Sequence, residues 1–266
     1  ALTGVFSGSM RASSNYREQW SNIFANVPFR TFTAAADYLL NVVEDDYIGL
    51  GINALYNEAG SSQFAKTQVG LGLSYLKQLS GNRSGSEAQY LIAGAQLGLG
   101  QHQLKSGDLW FSRQYDLVKE QVNTNLGNGE QFSDQQLVSP MYLDFNAGLL
   151  WYTVLNEQTN FYIGAAAHHL NTPNISFTKN TEPLYQRFSA SIGGEVGLTE
   201  NLSLLPNAIW MQQGKAMQIV GGAAIRYTNH DWDEIAMRVG VASRLSNKLQ
   251  NSIHQDALII STFIEM

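Results

Sequence analysis

The sequence predicts an all-β protein, a transmembrane antiparallel β-barrel of the outer-membrane type, and three observations carry that prediction. First, charged residues make up only 14% of the 266-residue chain, yet apolar residues reach just 44%; an ordinary soluble domain carries about 25% charge. Glycine (24), uncharged polar residues and aromatics at 11% take up the difference. Second, apolar residues alternate with small or polar ones over long stretches, which marks strands whose two faces meet different surroundings. Third, short and long connections alternate along the chain, as they do in outer-membrane barrels with short periplasmic turns and long outer loops. No apolar run approaches the ~18 residues of a transmembrane helix. A net charge of −6 excludes a strongly basic nucleic-acid binder, and the supply of β-branched and aromatic residues excludes a disordered chain. With no cysteine there is no disulfide framework, thiolate metal site or thiol nucleophile.

Twelve strands follow from the pattern, each long enough or nearly so to cross a bilayer at a tilt. The first, 10–20, sets Arg11, Ser13, Asn15, Arg17 and Gln19 on one face, and the second, 30–42, does the same with Thr31, Thr33 and Asp37. The third, 46–56, holds Gly49-Leu50-Gly51-Ile52. In the fourth, 66–79, Val69, Leu71, Leu73 and Tyr75 oppose Gly70, Gly72 and Ser74. The fifth, 87–104, contains the glycine-spaced run from Gly94 to Gly100; this lies within a strand rather than at a strand-to-helix turn, which argues against nucleotide binding. The sixth, 140–155, adds Asp144, Asn146 and Trp151, and the seventh, 160–171, runs from Phe161 towards His168 and His169. In the eighth, 183–199, Phe188, Ala190, Ile192, Val196 and Leu198 oppose Ser189, Ser191, Gly193, Glu195 and Gly197. Trp210 falls in the ninth (202–212), Arg226 and Tyr227 in the tenth (216–229). The eleventh, 234–246, sets Ile235, Met237, Val239 and Val241 against Arg238, Gly240 and Arg244, and the twelfth, 254–265, carries Phe263.

Connections 43–45, 80–86, 156–159, 200–201 and 230–233 read as short, and 21–29, 57–65, 105–139 and 171–182 as long; 213–215 is the exception. This phase puts the N-terminus on the periplasmic side. The whole of 1–266 reads as one barrel domain, with 105–139 as its longest outer loop.

An arginine or lysine facing lipid at the bilayer midplane costs about 2–4 kcal/mol, so the charged residues are expected to point inward. Arg11, Asp144, Glu195, Arg226 and Arg238 form the expected lumen network, joined by Arg244, with the two signs pairing across the lumen to hold the barrel shut or to hold a plug. A conducting pore with a charged constriction is the alternative. Trp20, Tyr38, Tyr56, Tyr142, Trp151, Phe161, Trp210, Tyr227 and Phe263 near strand ends are expected to form interface girdles. Adjacent His168 and His169 are expected on opposite faces, unable to share a metal. A barrel lipase would need Ser189 or Ser191 beside His169 on the outer face. No HExxH, GxSxG or phosphate-loop pattern occurs. The chain therefore reads as a non-enzyme, with no catalytic, cofactor-binding or metal residue assigned.

Ala1-Leu2-Thr3-Gly4, then Arg11, the strand Asn15-Tyr16-Arg17-Glu18-Gln19-Trp20, and Phe29-Arg30-Thr31 with Asp37 resemble the PorP/SprF family of the type IX secretion system. Members open with Asn-Pro-Ala-x-x-Gly, followed by a Tyr-Arg-x-Gln-Trp strand and a Thr and an Asp in the next. The motif thus falls on Tyr16, Arg17, Gln19, Trp20, Thr31 and Asp37. Weaker likenesses follow in family order at Gly49–Ile52, Gly72–Tyr75, Gln89–Gly100 and Phe111–Asp116, so the resemblance spans nearly the whole chain. The Asn-Pro before Ala1 and a C-terminal Gly-x-x-Tyr-Asp strand pair are not found, which leads us to expect trimmed ends and about fourteen strands in the complete protein.

The resemblance implies an outer-membrane protein of a Gram-negative bacterium that assists the secretion or surface retention of type IX cargo. Such cargo is often an adhesin, including those of gliding motility, and is held through its C-terminal domain. It implies as partners that secreted surface protein, other type IX components in the periplasm and the lipid bilayer, with no nucleic acid and no cofactor. Segment 105–139, with 171–182 beside it, is the candidate docking region, through Trp110, Phe111, Tyr115 and Asp116 with Leu109, Leu117 and Val118. Folding into the lumen as a plug is the competing role for the same segment. The competing function is a channel for small solutes.

Overall fold

Strong period-two alternation needs a sheet with one face in each environment, and the computed structural model supplies a single antiparallel meander. It describes residues 3–6, 8–19, 29–43, 45–81, 87–105, 109, 111–123, 125–126, 137–156, 158–178, 180–228, 236–247 and 252–265. We number the long strands β1 (Met10–Glu18), β2 (Phe29–Val43), β3 (Asp46–Ala59), β4 (Phe64–Gly81), β5 (Ala88–Leu104) and β6 (Tyr142–Asn156). Then come β7 (Thr159–His168), β8 (Arg187–Thr199), β9 (Leu202–Gln213), β10 (Ala216–Thr228), β11 (Ala236–Asn247) and β12 (Ile253–Glu265). Each pairs with the next in order, and the short strand Leu137–Val138 adds to β5 to make thirteen. This is an all-β, up-and-down sheet of the outer-membrane barrel kind. Among the described residues β1 and β12 are the two ends of the path.

The register fixes which residues share a face. Arg11 lies opposite Asp37, Asp37 opposite Gly51, Gly51 opposite Gly72, Gly72 opposite Gln96 and Gln96 opposite Asn146, so these six stand on one face, the inner one. The opposite face is apolar and bare: Leu71 is 60% exposed, and Leu50, Ile52, Leu73, Leu97, Phe145, Leu149, Ile192, Val239 and Ile260 are exposed with it. An apolar surface of that extent is stable only against lipid or a partner. On β2 it runs from Phe32 to Val42. At ~3.3 Å per residue that is about 33 Å of strand, or about 25 Å along a barrel axis at ~40° tilt, the height of a membrane barrel's apolar band.

Five charged residues occupy outward register positions among the described residues, and all stand at strand ends. Glu18, Arg30 and Glu58 lie at the long-loop end, while Asp46 and Lys77 lie at the short-turn end. There the Asp46 carboxylate, just beyond the apolar band, accepts from the Lys77 ammonium (2.8 Å), the Tyr75 hydroxyl (2.6 Å) and the Gln78 N–H (3.0 Å). These donors, Lys77 first, hold its carboxyl at about 2.

Several expectations need correction. The connection after β3 is only the four-residue turn Gly60–Gln63, because β3 and β4 extend to Ala59 and Phe64; the alternation of loop length rests on the remaining connections. Connection 169–186 is longer than expected, since β7 stops at His168 and β8 begins at Arg187. Of the girdle residues, Tyr38, Tyr56, Trp151, Phe161, Trp210 and Tyr227 take outward positions, and one of them, Tyr56, lines up with the exposed Tyr16 and Phe32 in a row at one level. Tyr142 instead faces inward and is buried, its ring lying where Gly100 leaves no side chain. Phe263 stands opposite Arg238 on the inner face. Trp20 lies outside the described residues.

Candidate functional site

Inner-face glycines leave sockets in the wall, and other groups fill them. At the short-turn end the N-terminal segment turns into the lumen. Gly4 adopts φ +78°, and the Thr3 carbonyl accepts from the Ser74 hydroxyl at 2.6 Å. A Cβ on Gly49 or on Gly72 would come within 3 Å of this segment, so the wall must be bare there for it to lie down. Val5 packs on a core of Leu76, Ile92 and Leu150, joined by Leu39, Tyr47, Tyr90, Tyr152 and Tyr162. Phe6 lies under the Arg11 guanidinium, 5.0 Å from its ring centre, and Arg11 forms an ion pair with Asp37 on the neighbouring strand.

Above this plug runs a continuous polar ladder. Gln96 donates to Asn53 across Gly70, and its carbonyl accepts from Asn146 at 3.2 Å. Gln68 reaches over Gly98 to donate to Asp144 at 2.8 Å. Asp144 is fully buried and also pairs with His169 Nδ1 at 2.8 Å. The His169 N–H in turn donates to the Asn146 side-chain carbonyl at 3.0 Å. Buried polar groups are tolerable only when satisfied like this.

At the long-loop end an aromatic cluster sits over the ladder. Phe177, from the connection between β7 and β8, lies 6.3 Å edge-on to Phe64 and 6.5 Å from His102, while His102 meets Tyr142 edge to face at 5.5 Å. The Tyr142 hydroxyl is 3.2 Å from His102 Nε2. Beside the plug is a cavity of about 480 Å³ lined by Thr3, Arg11, Asp37, Asn53, Gln96, Asn146, His168, Arg187 and Ser189 among others.

The expected lumen residues all occupy inward positions, and the pairs seen among the described residues run along the wall. Arg11 pairs with Asp37 on the adjacent strand, and Arg226 reaches Glu195 two strands away along the wall at 3.2 Å. Arg238 stands opposite Arg226 and over the Phe263 ring at 5.3 Å, while Asp144 belongs to the ladder. His168 and His169 do not diverge: His169 has left the strand at φ +58° and turns inward beside His168, ring centres 6.4 Å apart. Among the described residues no group of three or more His, Asp or Glu is placed to hold a metal. Ser189 and Ser191 face the lumen, and it is His168 that approaches Ser189 Oγ, at 3.4 Å, so the outer-face dyad of a barrel lipase is not formed.

The motif residues divide between two faces. Tyr16 is outward and donates to Glu18 at 3.1 Å; Arg17 is inward, opposite Thr31. Thr31 accepts from Asn57 at 2.7 Å, and the Gln19 N–H donates to the Phe29 carbonyl. In the 105–141 connection Trp110 lies outside the described residues. Phe111 opens a single 3₁₀ turn, Ser112–Gln114, whose buried Gln114 side chain is bonded to the Phe111 N–H and the Leu126 carbonyl. Tyr115–Asp116 then pairs with Gln121–Val122 in a small hairpin. The Asp116 carboxylate accepts from the N–H groups of Val118 and Lys119, bending the tip so that Leu117 is 84% and Val118 93% exposed.

Sequence reasoning allowed for a plug but missed that the N-terminal segment supplies one, and it missed the aromatic cover. The glycines at 49, 51 and 72 on one face were the available signal for the first.

No curated protein matches the chain. The family model described as type IX secretion system membrane protein PorP/SprF matches residues 1–260. With an apolar outer face, a polar inner face and that match over nearly its full length, the chain belongs to the PorP/SprF family of type IX secretion system membrane proteins.

Proposed function

We propose that this protein is an outer-membrane barrel that anchors, or assists the secretion of, a cell-surface protein by holding its C-terminal domain at the long-loop end. The short turns face the periplasm, where other type IX components act. The observation that carries the reading is the 115–122 hairpin, which presents two neighbouring apolar side chains to solvent at its tip. Each would contribute about 1.5–3 kcal/mol if covered by a partner. The lumen supports the same reading, because side chains and chain segments occupy it from both ends.

Removing 106–133 and measuring adhesin-like cargo on the cell surface tests this. Loss of retained cargo with a normally assembled barrel is expected; unchanged retention overturns the docking role. Planar-bilayer recordings of the purified protein are expected to be silent, and steady openings would favour a solute channel instead.

A further inference from the structure

The polar ladder satisfies its own groups, but two cations beside it are left over. Arg187 opens β8 on the inner face and lines the cavity, and its Nε is buried with no hydrogen-bond partner. Lys66, inward on β4, is its electrostatic neighbour. Among the described residues neither makes an ion pair or a hydrogen bond, and the one acid acting on either is Asp144. Asp144 already takes Gln68, Asn146 and His169 on its two oxygens. Arg187 is half-buried, with its Nε shut away from water and from any acceptor, which is costly to maintain, and its guanidinium fork suits a carboxylate.

Apart from the mutually paired Arg11 and Asp37 and from His168, the rest of the cavity lining is uncharged. Ser189, Ser191, Asn53, Gln96 and Asn146 offer uncharged donors and acceptors of the kind a peptide backbone needs, and Ile209 and Met211 supply an apolar patch. A volume of about 480 Å³ lies within the range of pockets that take small ligands whole. We infer that the lumen is a binding pocket for the end of an extended peptide, its terminal carboxylate seated on Arg187, with Lys66 outside the cavity lining adding only its charge. The pocket does not depend on the 115–122 hairpin, so removing the hairpin and emptying the pocket are separable.

The test uses the full chain in detergent micelles and isothermal titration. The probes are a pentapeptide of alanine and serine with a free C-terminal carboxylate, the same peptide as its C-terminal amide, and inorganic phosphate. The free acid is expected to bind at least ten times more tightly than the amide. Arg187→Gln is expected to remove that preference, Lys66→Gln to reduce it, and Arg187→Lys, which keeps the charge, to retain part of it. Unfolding midpoints of the variants should match the parent. Equal binding of acid and amide, or binding of neither, overturns the proposal. Phosphate displacing the peptide at equal concentration overturns the peptide assignment in favour of a small-anion site. A variant lacking Leu117 and Val118 should bind the acid as the parent does, whatever happens to cargo retention.

Discussion

Strands β2–β7 and strands β9–β12 present the same outside and different insides. Both groups carry exposed leucine, isoleucine, valine and aromatic side chains outward. Among the described residues, β2–β7 hold most of the buried ones, including Leu76, Ile92, Leu150, Asp144 and Asn146, whereas β9–β12 contribute Ser203, Ala236 and Gly240. The first group spaces its inner face with glycine so that amides, rings and the N-terminal segment can interlock over it. The second lines its inner face with arginines, Arg226, Arg238 and Arg244, paired along the wall to Glu195 and Asp256 or stacked on Phe263. One outer surface is compatible with two interiors because lipid constrains only one side of each strand.

The sharpest way to break this comparison is to remove one carboxylate from each interior. Asp144→Ala leaves Gln68 and His169 without this acceptor in a buried site, while Asn146 keeps its bond to Gln96. It is expected to destabilise the refolded barrel by about 3–5 kcal/mol. Glu195→Ala should cost about 1–2 kcal/mol, since Arg226 keeps access to water. Guanidinium unfolding in micelles measures both; equal losses would mean that the two interiors are equally close-packed.

The outer faces should fail together instead. Leu71→Arg on β4 and Val239→Arg on β11 both place a guanidinium in the apolar band. Each is expected to cost about 2–4 kcal/mol in a bilayer and far less in denaturant-free micelles with loose packing. A large difference between the two sites would show that one of the faces does not meet lipid.

These two contrasts also mark what the sequence made legible. Leu71 and Val239 could be placed on the lipid side from alternation alone, because side-chain direction in a strand follows from the backbone pleat. Asp144 could be placed inside by the same rule, but not joined to Gln68, which reaches it only because Gly98 on the strand between has no side chain. Tyr142 was misplaced for the same reason: a ring seated on Gly100 is a two-strand feature with no local signature. His169 was misplaced because one residue in a left-handed conformation ends the alternation. Segment 105–139 has docking and plugging as its two competing roles, and nothing local in the sequence marks Phe177, from the connection between β7 and β8, as the residue that reaches Phe64 and His102, a contact between residues far apart in the chain.

A smaller effect separates inner from outer glycines. A Cβ on Gly72 would lie 2.9 Å from Thr3 Oγ1, whereas one on Gly221, facing outward on β10, would meet nothing nearer than 3.8 Å. Gly72→Ala is therefore expected to lift the N-terminal segment from the wall at a cost of about 1–3 kcal/mol, read as faster proteolysis of that segment. Gly221→Ala should be neutral or slightly stabilising.

The smallest effect belongs to neither interior but to the turn between β2 and β3, and its sign can be worked out. Asp46 is held at about 2, below its ordinary value of 3.8, first by Lys77 and then by the Tyr75 hydroxyl. A carboxylate whose folded value is depressed adds stability that is fully present above the unfolded value and lost as pH falls through the folded one. The contribution should therefore be complete above about pH 4 and gone near pH 2. Asp46→Asn should flatten the unfolding midpoint across that window and leave it unchanged in slope between pH 5 and 8. Lys77 is more than half exposed, so salt should weaken the same contribution at neutral pH. If the Asn variant kept the parent's acid dependence, groups other than Asp46 would have to supply it, and the short-turn rim would be electrostatically idle.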